Sequence, residues 1–242
     1  MKERIAKVIA AAGICSRRDA EKLILEGRVK LNGIVLSSPA TTVSSSDIIS
    51  VDNRPIIKPE GVKLWLMNKP KGYITTHKDP QGRPTVFSLI PKEMPRVISI
   101  GRLDMDSEGL LLLTNSGHLA HELESPKTAW IRTYKVRVHG KVDEAALASL
   151  KQGVTIDEMR YKSIEASLEI QKNTNAWVQF KLTEGKNREI RRICEHIGLT
   201  VNRLIRVSYG PFVLGNLGTG SVQSVPLKIL RNALPQKLLT NA

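Results

Sequence analysis

Residues 101–117 read Gly101-Arg102-Leu103-Asp104-Met105-Asp106-Ser107-Glu108-Gly109-Leu110-Leu111-Leu112-Leu113-Thr114-Asn115-Ser116-Gly117, a short polar turn followed by four leucines. The leucine run is short for a helix and lies between turn-forming residues, which is typical of a core strand, although four leucines alone would equally suit a helix. Val97–Ile100 predicts a second strand. The polar turn therefore begins and ends in the hydrophobic core.

Asp104 is the candidate functional residue of this turn, with Arg102 two positions away. Taken alone, Asp104 could be only a turn residue, since Asp and Gly are common in turns. Asp104, Asp106 and Glu108 could also suggest a site for a hard cation. Their spacing lacks the full calcium-loop pattern, and Arg102 opposes a cation, so we expect no metal.

The composition indicates a globular protein that handles a polyanion. The chain has 242 residues, and 37 Lys and Arg against 23 Asp and Glu give a net charge of +14. Nucleic acid is the favoured partner over a membrane, because we find neither a basic amphipathic anchor nor an apolar run near the ~20 residues that span a bilayer. The N-terminus has no signal-peptide core. Cys15 and Cys194 lie far apart and suit a reducing cytoplasm.

The first sixty residues predict a small unit of two helices and a sheet. Apolar spacing predicts a helix over residues 3–12, and Ser16 is expected to cap a second helix over residues 17–26. Asn32-Gly33 between two apolar runs is a strong hairpin signal, and a further strand is expected near residues 48–51. We place a linker between about Pro55 and Val62 and predict domains 1–58 and 62–242.

The sequence of the larger domain predicts an α+β architecture. Strands are expected at residues 63–67, 132–138, 164–170 and 177–182, with helices at 118–125 and 142–152. Asn187 is expected to cap a helix whose apolar face holds Ile190, Ile193, Cys194 and Ile197. Arg188, Arg191 and Arg192 lie on the opposite face and form a candidate anion platform.

Several chemistries are disfavoured because their motifs are missing from the sequence. It has no Walker loop, Gly-x-Gly-x-x-Gly, Gly-x-Ser-x-Gly or Cys-x-x-Cys. Nucleotide hydrolysis, dinucleotide redox chemistry, serine-hydrolase chemistry and structural zinc are therefore disfavoured, and we expect no cofactor.

The N-terminal order of a helix, a Ser-Arg-Arg helix, Gly-x-Val and an Asn-Gly hairpin resembles the ribosomal protein S4-like RNA-binding domain over most of residues 3–52. That resemblance implies docking on structured RNA through the helix pair.

The rest of the chain resembles the RsuA/RluB-type ribosomal RNA pseudouridine synthases. The resemblance rests on Gly101–Asp104 with Ser107–Asn115, and on residues 68–73, 132–134, 184–192 and 203–206, in the family's order. It implies a mostly antiparallel mixed sheet with flanking helices. It also implies an enzyme that isomerises a uridine of ribosomal RNA to pseudouridine. Residues 79–86 look more like the large-subunit RluB branch, so 23S RNA is the expected substrate and small-subunit 16S RNA the alternative.

The resemblance also assigns roles to residues. Asp104 would be the catalytic aspartate, preceded by Arg102, and Tyr134 would stack on the flipped base. Ile190 would pack beside the base, and Arg191 would pair with the aspartate. A set of cations is expected to bind RNA: Arg17, Arg18, Lys22, Arg28, Lys30, Lys69, Lys71, Arg83, Lys186, Arg188, Arg192, Arg203 and Arg206.

Three positions depart from the family pattern: Ser116 stands where Asp is frequent, Glu189 where Gln is frequent and Arg132 where Lys is frequent. A charge at Glu189 is expected to repel phosphate.

A competing hypothesis is a non-catalytic RNA-binding or ribosome-assembly factor on the same fold; a methyltransferase is weaker, for want of a Gly-rich cofactor loop. Binding alone does not require the Asp104 carboxylate. We expect a cytoplasmic monomer that acts on ribosomal RNA or on an assembly intermediate.

Overall fold

The computed structural model describes residues 2–57 and 61–239. Residues 58–60, in the middle of the predicted linker, lie outside the described residues, as do the chain ends. The described part forms a small N-terminal unit and a larger one, each with its own hydrophobic core.

The N-terminal unit follows the sequence pattern closely. Ser16 caps the second helix by accepting the Asp19 amide at 3.1 Å, as predicted. Asn32 and Gly33 both have positive φ, which a tight hairpin turn requires. The elements are β1 (Glu3–Arg4), α1 (Ile5–Ala11), α2 (Arg17–Leu25), β2 (Val29–Leu31), β3 (Ile34–Val35), β4 (Thr42–Val43), β5 (Ile49–Val51) and β6 (Arg54–Pro55).

The larger unit is built on one sheet. Its elements are β7 (Leu64–Lys69), β8 (Ile98–Ile100), β9 (Glu108–Thr114), α3 (Gly117–Glu124), β10 (Arg132–His139), α4 (Glu144–Ser149), β11 (Val154–Ile156), β12 (Met159–Tyr161), β13 (Glu165–Lys172), β14 (Asn175–Leu182), α5 (Glu189–His196), β15 (Thr200–Tyr209), β16 (Phe212–Val213), β17 (Val222–Ser224) and α6 (Leu227–Ala233). Short 3-10 turns occupy Val86–Leu89, Pro126–Thr128, Leu150–Gln152 and Gln236–Leu238.

The sheet has nine strands in the order β13-β14-β10-β15-β9-β7-β17, with β8 paired to β9 and β16 to β15. Among the described strands, the pair β9–β15 is parallel and the other pairs of the sheet are antiparallel. That parallel pair joins the two halves of the sheet through Gly109 and Arg206. The predicted α+β class with a mixed, mostly antiparallel sheet is confirmed.

The leucine run is a strand because both faces of the sheet are covered at this point. Leu111 and Leu113 belong to one hydrophobic cluster, and Leu110 and Leu112 belong to the other. All four side chains have no solvent exposure. A strand buried on both faces reads as a continuous apolar run rather than as an alternation.

Candidate active site

Asp104 lies in the loop between β8 and β9, at the parallel joint of the sheet. The Ser107 amide donates to the Asp104 carbonyl at 3.1 Å. On the other side, the Thr75 hydroxyl donates to the Leu103 carbonyl at 2.9 Å, and the Leu103 side chain is buried. The loop is therefore held at both ends while the Asp104 side chain stays half-buried.

The Asp104 carboxylate makes no hydrogen bond or ion pair with the described residues. The expected pairing of Arg191 with Asp104 is wrong. Arg191 Nη2 instead lies 3.1 Å from Asp106 Oδ2 and also donates to the Asp106 carbonyl. The Arg191 guanidinium is therefore held by Asp106, two residues further along the loop, and the carboxylate oxygens of Asp104 remain available.

Lys69 is buried beneath this loop. Its side chain has no solvent exposure, and its Nζ donates to the Ser107 carbonyl at 2.7 Å and to the Pro70 carbonyl at 3.1 Å. Burial lowers the pKa of Lys69 to about 8, against the opposing effect of nearby carboxylates, Asp104 first among them. The expectation that Lys69 contacts RNA phosphates is therefore wrong, because its ammonium group is used inside the protein.

A cavity of about 730 Å³ opens beside Asp104. Tyr134 on β10 and Ile190 on α5 are 7% and 4% exposed and line its walls with Arg102 and Arg191. The volume suits a nucleotide, since small-molecule sites span roughly 300–1,000 Å³. The structure therefore brings together all five residues to which the sequence assigned an active-site role.

Tyr209, which the sequence did not single out, also lines the cavity. Arg132 Nη2 donates to the Tyr209 hydroxyl at 2.8 Å, and the Arg132 guanidinium carbon lies 4.6 Å from the ring centre. The Arg206 guanidinium carbon lies 5.2 Å from the centre of the Tyr209 ring. Arg206 Nε donates to the Leu110 carbonyl at 2.7 Å. Arg206 is 2% exposed and lines the cavity, so its contact with RNA stays a prediction.

The N-terminus of α5 differs from the prediction in its cap. Arg188, not Asn187, occupies the cap position, with a φ of 52° and no side-chain cap. Glu189 Oε2 accepts the Lys186 amide at 2.8 Å instead. The pKa of Glu189 is raised to about 7, chiefly by burial and also by nearby Glu184, against the lowering effect of the hydrogen bond from the Lys186 amide. Glu189 is 4% exposed, so it does not present a charge to phosphate as expected.

The remaining predicted RNA-binding cations lie at or near the surface in two groups. Arg17, Arg18, Lys22, Lys71 and Arg192 are exposed, and Lys30 is half-buried. The others are paired with carboxylates: Arg28 with Asp52 and Glu26, Arg83 with Asp79, Lys186 with Glu184, Arg188 with Asp106 and Arg203 with Glu108.

Among the described residues there is neither a metal-binding cluster nor a membrane-spanning helix. We found no cluster of three or more His, Cys, Asp or Glu side chains able to hold a metal ion there. Nor does any helix in this part of the chain have the length and apolar character to cross a membrane.

The chain is similar to proteins of one family along most of its length. The RNA pseudouridylate synthase family matches residues 63–196, and the S4 domain matches residues 3–49. A Rickettsia felis protein described as an uncharacterized RNA pseudouridine synthase is 52% identical over 94% of this chain and 99% of its own. The ribosomal large subunit pseudouridine synthase B of Salmonella typhi is 40% identical over 88% of this chain and 76% of its own. A crystal structure of a pseudouridylate synthase has 28% identity and a TM-score of 0.67, covering 96% of this chain and 99% of that one.

The fold, the cavity and these matches define an RNA-modifying isomerase with an attached RNA-binding domain. The chain belongs to the RNA pseudouridylate synthase family and carries an S4 domain at its N-terminal end.

Proposed function

We propose that this enzyme converts a uridine of ribosomal RNA to pseudouridine and that Asp104 supplies the catalytic carboxylate. One observation carries the assignment: a half-buried carboxylate without a partner among the described residues lies in the wall of a nucleotide-sized cavity. An aspartate that served only to stabilise the turn would use its side-chain oxygens locally.

The reaction needs no redox step. The bond between uracil N1 and ribose C1′ breaks, the uracil turns, and a bond forms between C5 and C1′. The proton leaves C5 and N1 gains one, so atoms and electrons balance. The Asp104 carboxylate can attack the sugar, attack the base or take a proton from the ribose, and each route begins with the same deprotonated oxygen.

Tyr134 and Ile190 give the cavity a surface for a base that has left its stack. A flat ring and an aliphatic side chain recover part of the stacking energy that a flipped uridine loses. Both side chains are held by packing: each belongs to the hydrophobic cluster on this face of the sheet. Arg102 at the cavity wall and Arg191 beside the loop supply positive charge near the sugar-phosphate backbone.

The proposed substrate is 23S RNA of the large ribosomal subunit, either free or in an assembly intermediate. It is supported by a relative named ribosomal large subunit pseudouridine synthase B and by the net charge of +14. Arg17, Arg18, Lys22, Arg28 and Lys30 would hold the RNA on the N-terminal unit. On the larger unit, the cations that would contact phosphates are Lys71, Arg83, Lys186, Arg188, Arg192 and Arg203. Those that are ion-paired with a carboxylate would exchange that carboxylate for an RNA phosphate when RNA binds. We further propose a cytoplasmic monomer, consistent with two free cysteines.

Pseudouridine mapping with carbodiimide tests this proposal in cells that carry or lack the gene. We expect one site in 23S RNA to lose its modification in the deletion strain, to regain it with the wild-type gene and to stay unmodified with Asp104→Asn. A lost site in 16S RNA would contradict the large-subunit assignment. An unchanged map would contradict the function itself, and normal modification by Asp104→Asn would contradict the role of the carboxylate.

A further inference from the structure

Five buried side-chain atoms of the described residues have no hydrogen-bond partner, and four of them belong to residues that line the cavity beside Asp104. The four atoms are Ser107 Oγ, Glu189 Oε1, Arg191 Nε and Arg206 Nη2. Buried polar atoms in folded proteins are almost always hydrogen-bonded, so unpartnered atoms gathered around one cavity indicate a ligand that supplies the partners. Of the four residues, Ser107 and Arg206 are donors to which the chemistry described above gives no role.

Both donors lie at the parallel joint of the sheet. Arg206 on β15 pairs with Gly109 on β9, and Ser107 directly precedes β9. Ser107 also belongs to the Asp104 loop, because its amide donates to the Asp104 carbonyl at 3.1 Å. Ser107 is 1% exposed and Arg206 is 2% exposed, so both donors are buried. The register of the sheet therefore brings two buried donors to the joint that also carries the candidate carboxylate.

The Arg206 guanidinium is fixed in place but not neutralised. Its Nε donates to the Leu110 carbonyl at 2.7 Å, and its guanidinium carbon lies 5.2 Å from the centre of the Tyr209 ring. It makes no ion pair with any carboxylate of the described residues. An arginine keeps its charge when it is buried, and a buried cation without an anion is costly. A fixed, unneutralised donor in a cavity wall is the arrangement that stabilises negative charge developing on a substrate.

Negative charge develops on the uracil by whichever route Asp104 acts. When the bond between N1 and C1′ breaks, its electron pair stays with the uracil and spreads to the carbonyl oxygens O2 and O4. When the carboxylate instead adds to C6 of the base, the electron pair of the C5–C6 double bond moves to O4. O4 therefore gains charge in every route, and fixed donors in a site that excludes water stabilise such an oxygen better than water does.

We propose that Arg206 Nη2 and Ser107 Oγ donate hydrogen bonds to a uracil carbonyl oxygen, assigned as O4, and stabilise the negative charge that the base acquires during isomerisation. Both are then catalytic residues, because they touch the reacting base. The inference rests on the proposed function of the cavity as the uridine site. A phosphate fits these donors less well, because it would stay near the surface, where exposed cations such as Arg192 are available, whereas Ser107 and Arg206 are almost fully buried.

The test is the single-turnover rate of isomerisation on ribosomal RNA fragments that carry uridine, 4-thiouridine or 2-thiouridine at the target position. Sulfur accepts hydrogen bonds more weakly than oxygen, so each thio-uridine weakens the contacts to one carbonyl position. The variants are Ser107→Ala and Arg206→Gln, whose amide can still donate to the Leu110 carbonyl. Ser208→Ala is the matched control, because Ser208 also lies on β15 but is not among the residues that line the cavity.

With uridine, we expect Ser107→Ala and Arg206→Gln each to react about 100-fold more slowly than the wild type, as when one donor to a developing oxyanion is lost. With 4-thiouridine, this difference from the wild type should shrink to about tenfold or less, because the lost donor then had a weaker acceptor. Ser208→Ala should match the wild type on all three RNAs. Shrinkage with either thio-uridine supports a carbonyl contact and identifies the oxygen. Undiminished differences with both would overturn the proposal.

Ser107→Ala keeps the proposal testable should Arg206→Gln fold poorly. It removes one hydroxyl and leaves both the Arg206 contact with the Leu110 carbonyl and the Ser107 carbonyl that accepts from Lys69. An equal loss of affinity for all three RNAs at an unchanged rate would indicate a contact with the RNA backbone and would overturn the proposal. A wild type that isomerises none of the three RNAs would instead contradict the proposed function, and this inference with it.

Discussion

Two acidic regions line the same cavity, and they differ in what surrounds them. The loop of Asp104 lies over a buried ammonium, Lys69, and beside a guanidinium, Arg191. In the other region, Glu189 is buried with its Oε1 unpaired among the described residues, and Glu184 has the Lys186 ammonium as an ion-pair partner. The same functional group is thus available for chemistry in one region and for holding a proton in the other, because environment decides the protonation state.

The Asp104 region depends on the parallel joint of the sheet, and Gly109→Ala is expected to break it. Gly109 has a φ of +98°, and a Cβ there would lie 2.3 Å from the Arg206 carbonyl oxygen. We expect a loss of about 3 kcal/mol or more in the free energy of unfolding, measured by urea denaturation. Gly117→Ala is the control, because a Cβ at Gly117 meets nothing within 4 Å. Equal stability of the two variants would contradict this account of the joint.

The cation beneath the loop is tested by Lys69→Met. The substitution removes the donor to the Ser107 and Pro70 carbonyls and the positive charge near Asp104. We expect kcat to fall by about 100-fold, equivalent to ~2.7 kcal/mol, with RNA affinity kept within about threefold. Lys63→Met, an exposed position at the start of the same unit, should retain both values. A drop in affinity with an unchanged kcat would show that Lys69 serves RNA binding after all.

The buried carboxyl group of Glu189 makes the stability of the fold depend on pH. The pKa of Glu189 is raised to about 7 from its ordinary value of 4.5, so the folded state binds more protons between these values. The stability due to this group is therefore present below pH 4.5 and lost as pH rises through 7. Relative to Glu189→Gln, the wild type should lose about 2 kcal/mol between pH 5 and pH 8, measured by urea denaturation. A constant difference between the two proteins would contradict the raised pKa.

The smallest expected effect belongs to the N-terminal unit. Arg17 and Arg18 are exposed at the start of α2. Reversing both charges to Glu should weaken RNA binding about tenfold and flatten its salt dependence, because fewer counterions are released. The control is the double variant Lys141→Glu and Lys151→Glu, which reverses two positive charges at exposed positions of the larger unit. An identical salt slope for the wild type and the Arg17 and Arg18 variant would show that this helix does not contact phosphates.

The elements of the fold could be predicted because their signals are local. Ser16 capping, the Asn32-Gly33 hairpin and the alternation of β10 each depend on residues close together in sequence. The four leucines alone suit a strand or a helix, and their burial on both faces of the sheet, which is typical of a core strand, is not a local signal. The helix expected at residues 142–152 is shorter, because the α-helix ends at Ser149 and continues as a 3-10 turn.

The partners of the site residues could not be predicted in the same way. Arg191 meets Asp106 across 85 residues of sequence, and Lys69 meets the Ser107 carbonyl across 38. Such contacts depend on the register of the sheet, which the pattern of apolar residues does not specify to the level of single atoms. Glu189 gave no signal of its burial, because a glutamate in the first turn of a helix is ordinarily a solvated residue.

Release of tritium from RNA labelled at uracil C5 tests the central claim most directly, because the new carbon–carbon bond displaces that hydrogen. The measurement is a single turnover with enough enzyme to bind all the RNA, comparing the wild type with Asp104→Asn. The account predicts that the wild type releases tritium in an amount proportional to the amount of target uridine and that Asp104→Asn releases none. Both proteins should bind the RNA equally. Release by Asp104→Asn at the wild-type rate would contradict it.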